Sequence, residues 1–193
     1  MNLCLFGASS RNLDAEYYRQ AAALGKLLAE NGHTLVFGGG AEGLMGACAT
    51  GVLNVGGRVI GIAPRFFDEP GILLPGCTEM IITETMAERK EKMLAMSEGF
   101  LVLPGGIGTM DEFFEVITLR QLGRLRGRIV LLDTLGFYRK LTDFLRSMAD
   151  HDFMSESCLQ LFETCETPEA ALQAVLKTDN LAGSVRRLED YCR

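Results

Sequence analysis

The feature that most constrains this chain is an alternation. Short runs that are apolar at nearly every position take turns with longer segments whose apolar residues recur at helical spacing. The runs are 2–7 (NLCLFG), 34–37 (TLVF), 58–63 (RVIGIA), 79–83, 99–103 (GFLVL) and 128–132 (RIVLL). A strand with one wet face alternates polar and apolar residues; these runs do not, so they predict strands buried on both faces. Between them lie predicted helices at 14–30, with Ala21, Leu24, Leu27 and Leu28 on one face, and at 43–55, 86–97, 109–122 and 137–149. Strand–helix alternation of this kind predicts an α/β protein: a Rossmann-like, doubly wound parallel sheet with helices on both faces. The stretch 64–78 holds Pro64, Pro70 and Pro75 and reads as a loop. Beyond residue 150 the pattern predicts a short strand near 160–163, a helix near 168–177, and a C-terminal helical extension over 180–193 with its helix near 182–191. With no linker, repeat or low-complexity segment, residues 1–193 read as a single domain.

Charge and cysteine usage narrow the function classes. A formal charge of −6 argues against a general nucleic-acid binder, which carries a basic excess. Cys4, Cys48, Cys77, Cys158, Cys165 and Cys192 form no C-x-x-C pair, and His33 and His151 supply no zinc spacing. They read as reduced, mostly buried thiols of a cytoplasmic protein, with no metal site expected. The N-terminus lacks a basic stretch followed by a long apolar one, and no apolar run approaches the roughly 20 residues that span a bilayer. Neither a signal peptide nor a membrane partner is therefore expected.

Two glycine-rich turns stand at predicted strand ends: GGGAEGLMG (38–46) and PGGIGT (104–109). Open parallel sheets bind ligands beyond the carboxyl ends of their strands. Each turn leads into a helix whose first N–H groups lack intrahelical partners, so each is a candidate anion cradle. Either turn could also be only a tight strand-to-helix connection. Neither fits G-x-x-x-x-G-K-[ST] or a first-strand G-x-G-x-x-G, which argues against a P-loop ATPase and a NAD enzyme.

Some charges fall in unusual places. In the 86–97 helix, Arg89 and Lys90 flank the apolar stripe of Met86, Met93 and Leu94. They either snorkel to water or meet an anion. In the 109–122 helix, Glu112 flanks the stripe of Phe113, Val116 and Ile117, whereas Asp111 and Glu115 point away. Thr109 and Glu112 also match the T-x-x-E capping box, which would explain the glutamate without any chemistry.

At these residues the chain resembles the LONELY GUY family of cytokinin-activating phosphoribohydrolases, which often carries the label "possible lysine decarboxylase". The resemblance rests on GGGAEGLMG (38–46), MAERK (86–90) and PGGIGTMDE (104–112), in that order, and runs from the first strand to about residue 150. It implies Arg89 and Glu112 as catalytic residues. It implies substrate contacts at Lys90, at Gly105, Gly106, Ile107, Gly108 and Thr109, at Thr118, at Gly39 and Gly40, and at Met86. Glu69 is carried over as an acidic contact across a loop whose length departs from the family's. The family commonly has His where Ala87 stands and Tyr or Thr where Ile107 stands, a difference that bears on the preferred base. The resemblance also implies a homodimer with sites near the subunit interface. The implied reaction is hydrolysis of the N-glycosidic bond of an adenosine 5'-monophosphate, N6-substituted or plain, needing no cofactor. The alternative from another class is a non-catalytic nucleotide or cofactor carrier of the same fold.

Overall fold

The computed structural model describes residues 1–178; the expected helix near 182–191 lies outside them. Seven parallel strands form one sheet: β1 (Asn2–Phe6), β2 (Thr34–Phe37), β3 (Val59–Pro64), β4 (Glu79–Thr83), β5 (Gly99–Val102), β6 (Ile129–Leu132) and β7 (Glu163–Cys165). Their order across the sheet is β4-β3-β2-β1-β5-β6-β7. The chain starts in the middle, winds outward to β4, returns to lay β5 beside β1, and winds outward the other way. The direction of winding reverses between β1 and β5, so this pair is the topological switch point.

Side-chain alternation along each strand divides the core in two. Leu3, Leu5, Leu35, Phe37, Leu101 and Val130 face one side. There they pack against α1 (Ala15–Glu30), α2 (Gly43–Leu53) and α6 (Pro168–Leu176). Cys4, Phe6, Val36, Ile62, Val102 and Leu131 face the other. There they meet α3 (Met86–Ala95), α4 (Ile107–Gln121) and α5 (Arg139–Asp150). Each fully buried large apolar side chain contributes about 1.5–3 kcal/mol relative to exposure. The period-2 strand pattern therefore fixes which residue goes to which layer. The edge strands, β4 and β7, keep several partly exposed positions, whereas β1 and β2 do so only at their first residues, Asn2 and Thr34.

Most boundaries fall within a residue or two of expectation, and two of the differences are informative. The strand expected near 160–163 lies at Glu163–Cys165, and a 3-10 helix occupies Glu156–Leu161. A short apolar run there did not distinguish the two, and pairing with β6 decided it: Val130 is in register with Glu163 and Leu132 with Cys165. The helix expected to begin at Thr109 begins at Ile107. That two-residue shift matters for the site.

Candidate active site

The α3 helix starts where β4 ends. Thr85, in an extended conformation, accepts the Glu88 N–H on its hydroxyl at 3.1 Å, and the Glu88 carboxylate accepts the Glu84 N–H at 2.8 Å. This fixed start turns the next residue, Arg89, toward the sheet. Arg89 does not snorkel: it is only 5% exposed. Its Nε donates to the Ile62 carbonyl of β3 at 3.2 Å, and its Nη1 donates to Glu112 Oε1 at 3.0 Å.

Glu112 arrives from α4. Gly106 is the N-cap of that helix and offers no side chain for the role. Thr109 is the third helical residue and Glu112 the sixth, so the capping box allowed by T-x-x-E does not form. Both side chains instead turn inward, Thr109 to 4% and Glu112 to 7% exposure. Burial lifts the Glu112 carboxyl above its ordinary range, while the Arg89 guanidinium pulls it back down. The same negative charge adds to burial in pushing up the Cys4 thiol on β1. The result is a desolvated guanidinium–carboxylate pair against the central strands, a rigid arrangement in which charge acts more strongly than in water.

Other expected contacts sort unevenly around this pair. Lys90, expected as a substrate contact, holds its ammonium between Asp111 at 2.9 Å and Glu115 at 2.8 Å. Those bonds raise its pKa, Glu115 contributing most. Its charge is spent on tying α3 to α4. Gly106, Ile107 and Gly108 are exposed at the head of α4, and open space surrounds the missing side-chain positions of Gly106 and Gly108. Gly105 is different: a methyl there would lie 2.0 Å from the Thr109 hydroxyl, so its bareness admits Thr109. Thr118 is exposed and donates its hydroxyl to the Phe114 carbonyl of its own helix at 2.7 Å. Glu69 is exposed in the loop after β3, and Met86, the first residue of α3, is 38% exposed.

The first glycine turn is less open to anions than its composition suggests. The Leu44 N–H at the head of α2 donates to the Ala8 carbonyl at 2.8 Å, so the chain itself occupies part of that helix end. Gly39 has φ +78°, a conformation that favours glycine. Gly40 pairs with Leu73 in an antiparallel bridge that pins the 64–78 loop over the turn.

Two clefts open at the carboxyl edge of the sheet. One, of about 340 Å³, is walled by Arg89, Gly38, Ser9, Arg11, Ile72 and Leu73 among others. The other, of about 320 Å³, lies at the switch point between Ala8, Ser10, Tyr17, Pro104, Gly105 and Gly106. Both volumes fall within the range of small-molecule sites, roughly 300–1,000 Å³. The 8–11 segment borders both clefts and was missed in the sequence. Its signal was available: it follows Gly7 at the end of the first strand, where a doubly wound sheet places ligands.

Taken together, the sheet, the two clefts at its carboxyl edge and the buried Arg89–Glu112 pair define a Rossmann-like α/β protein with small-molecule-sized clefts close to a buried ion pair. The chain belongs to the family described as "Possible lysine decarboxylase", whose sequence model matches residues 45–175, and which is the LONELY GUY family. Its relatives include the cytokinin riboside 5'-monophosphate phosphoribohydrolase of Rhodococcoides fascians, 34% identical over 83% of this chain and 81% of the relative. The enzyme of the same name from Mycobacterium tuberculosis is 35% identical over 83% of this chain and 86% of its own length. Among solved structures, the molybdenum cofactor carrier protein of Chlamydomonas reinhardtii superposes with a TM-score of 0.70 at 21% identity. That match covers 90% of this chain and 94% of the carrier and speaks to the fold alone.

The family's label would call for pyridoxal phosphate, a Schiff-base lysine and an acidic partner for the ring nitrogen. The residues present do not fit it. Lys90, the lysine beside the pair, is bonded to two carboxylates and held protonated, the opposite of a nucleophilic amine.

Proposed function

We propose that this protein hydrolyses the N-glycosidic bond of a purine nucleoside 5'-monophosphate, adenosine 5'-monophosphate or an N6-substituted form of it. The observation that carries the reading is the 3.0 Å contact between Arg89 Nη1 and Glu112 Oε1, both buried, beside the exposed glycine head of α4. The names of the relatives support it.

The chemistry follows from the charges. Breaking a ribosyl–base bond develops positive charge at the anomeric carbon, as in glycoside hydrolysis. In this reading the N–H groups at the head of α4, from Gly106 to Thr109, hold the 5'-phosphate. Glu112 stabilises the cationic sugar and orients or deprotonates the attacking water. Arg89 fixes the substrate and aims Glu112. The water oxygen bonds to the anomeric carbon, the bonding electrons of the old C–N bond leave with the base, and the base takes up a proton. The products are free base and ribose 5-phosphate.

The proposal includes a homodimer in a cytoplasmic setting. An exposed apolar stripe along α4 and its C-cap, formed by Ile107, Phe114 and Leu122, supports the first. Thr118 lies on that stripe, so a partner seated there would cover it. Cys4, Cys48, Cys77 and Cys165 are free thiols, which supports the second.

The test is incubation with AMP and with N6-isopentenyl-AMP, followed by chromatography for free base. Release from the monophosphates and little from the matching nucleosides supports the reading. Tight nucleotide binding without turnover would replace it with the carrier reading.

A further inference from the structure

We propose that Gly38 is a positioning residue for Arg89: its bare Cα is the seat against which the guanidinium rests, and it sets which nitrogen Arg89 presents to the cleft. The proposal rests on the role given to Arg89 in the reading above.

Arg89 is on α3, yet its guanidinium reaches past β3 to the end of β2. Nε is committed to the Ile62 carbonyl and Nη1 to Glu112. Nη2 lies against Gly38, and both residues wall the 340 Å³ cleft. Among the described residues Nη2 has no hydrogen-bond partner. It is therefore the nitrogen left to meet an acceptor on a bound molecule.

A methyl group at position 38 would stand 2.0 Å from Nη2, 3.1 Å from Cζ and 3.5 Å from Nε. Its three nearest neighbours all belong to Arg89. The backbone itself does not demand glycine here, because Gly38 is not among the glycines at positive φ, whereas the adjacent Gly39 is, at +78°. The two neighbours are thus glycines for different reasons: Gly39 for the path of the chain, Gly38 for the side chain laid over it. The atoms that would have to move are the far end of a flexible side chain, so the fold can tolerate the methyl while the guanidinium cannot stay where it is. Once shifted, it cannot keep the Ile62 and Glu112 contacts at their present lengths. Misplacement of about 1 Å at such a group costs up to 100-fold in rate.

The test is a double-mutant cycle on the full chain: wild type, Gly38→Ala, Arg89→Lys and the double substitution. Thermal unfolding is read for all four, and kcat and KM for base release from AMP wherever turnover is measurable. A lysine ends near the place of Cζ, 3.1 Å from the added methyl, and so escapes the 2.0 Å overlap. The expected result is that Gly38→Ala folds, unfolds a few degrees lower and loses at least tenfold in kcat/KM. In the Arg89→Lys background the same substitution should cost less than half as much in melting temperature, and less than twofold in rate if turnover persists. An equal cost in both backgrounds, or no cost in either, overturns the proposal. Failure of the wild type to release base would remove the enzymatic reading yet leave the melting-temperature cycle intact, so the two failures are separable.

Discussion

The chain contains the same tetrapeptide pattern twice, and the two copies do opposite things. Thr85-Met86-Ala87-Glu88 caps a helix at the surface: the hydroxyl and the carboxylate each take a backbone N–H, and all four residues are exposed. Thr109-Met110-Asp111-Glu112 lies inside a helix that has already begun, and its threonine and glutamate are buried. The difference is set by what comes before. Ahead of Thr85 the chain is still leaving β4, so Thr85 is the first residue able to act as a cap. Ahead of Thr109, Gly106 ends the extended chain and the helix starts at Ile107. The helix start lies three residues further ahead of the glutamate in this copy, so Glu112 is the sixth helical residue where Glu88 is the third; it is past the first turn, cannot cap, and lies on the inner face. A local motif thus states which bonds a residue could make; the position of the helix start decides which it makes.

Substitutions in the two copies separate them by the size of the effect. The largest expected effect is on rate: Glu112→Gln should lower kcat by about 10²–10⁴-fold, the range for loss of a general base, while Glu88→Gln stays within a few-fold of wild type. Steady-state base release from AMP measures both, and equal losses would erase the distinction between the two copies.

Next in size is stability. Arg89→Ala leaves the Glu112 carboxylate buried without its partner and should cost about 3–5 kcal/mol in urea unfolding at neutral pH. The loss should shrink as pH falls. Burial already holds the Glu112 carboxyl above its usual value, and without the guanidinium it rises further. A carboxyl with a raised folded-state pKa favours the fold below its unfolded pKa, and that contribution disappears as pH climbs through the folded one. In the wild type, the same elevation should place the acid limb of kcat/KM above the ordinary 4.5 of a glutamate. A limb at or below that value would mean that a different group controls the rate.

The smallest effect belongs to the surface copy. Thr85→Ala removes a helix cap and should cost about 1 kcal/mol with kcat nearly unchanged, as thermal unfolding and the same assay would report together.

Much of the architecture was legible before any coordinates. The strands are short, continuously apolar and separated by helical periods, and those are local properties of the chain. The two glycine turns and the helices carrying Arg89 and Glu112 could be located for the same reason. Less legible were the last strand, which depended on pairing with β6, and the 8–11 segment, whose significance comes from lying between two strands distant in sequence.

Local pattern alone was enough for a layered α/β fold and for a cation and an anion flanking the apolar stripes of two consecutive helices. Only the tertiary structure decided that these two meet, 23 residues apart, while the neighbouring Lys90 is drawn off to Asp111 and Glu115. It also decided that Gly38, at the end of β2, makes room for the first of them. The physical reason is that periodicity gives the direction in which a side chain leaves its helix but not its height along the helix. Height is set where helices dock on the sheet, and there a difference of one turn separates an ion pair from two unpaired buried charges.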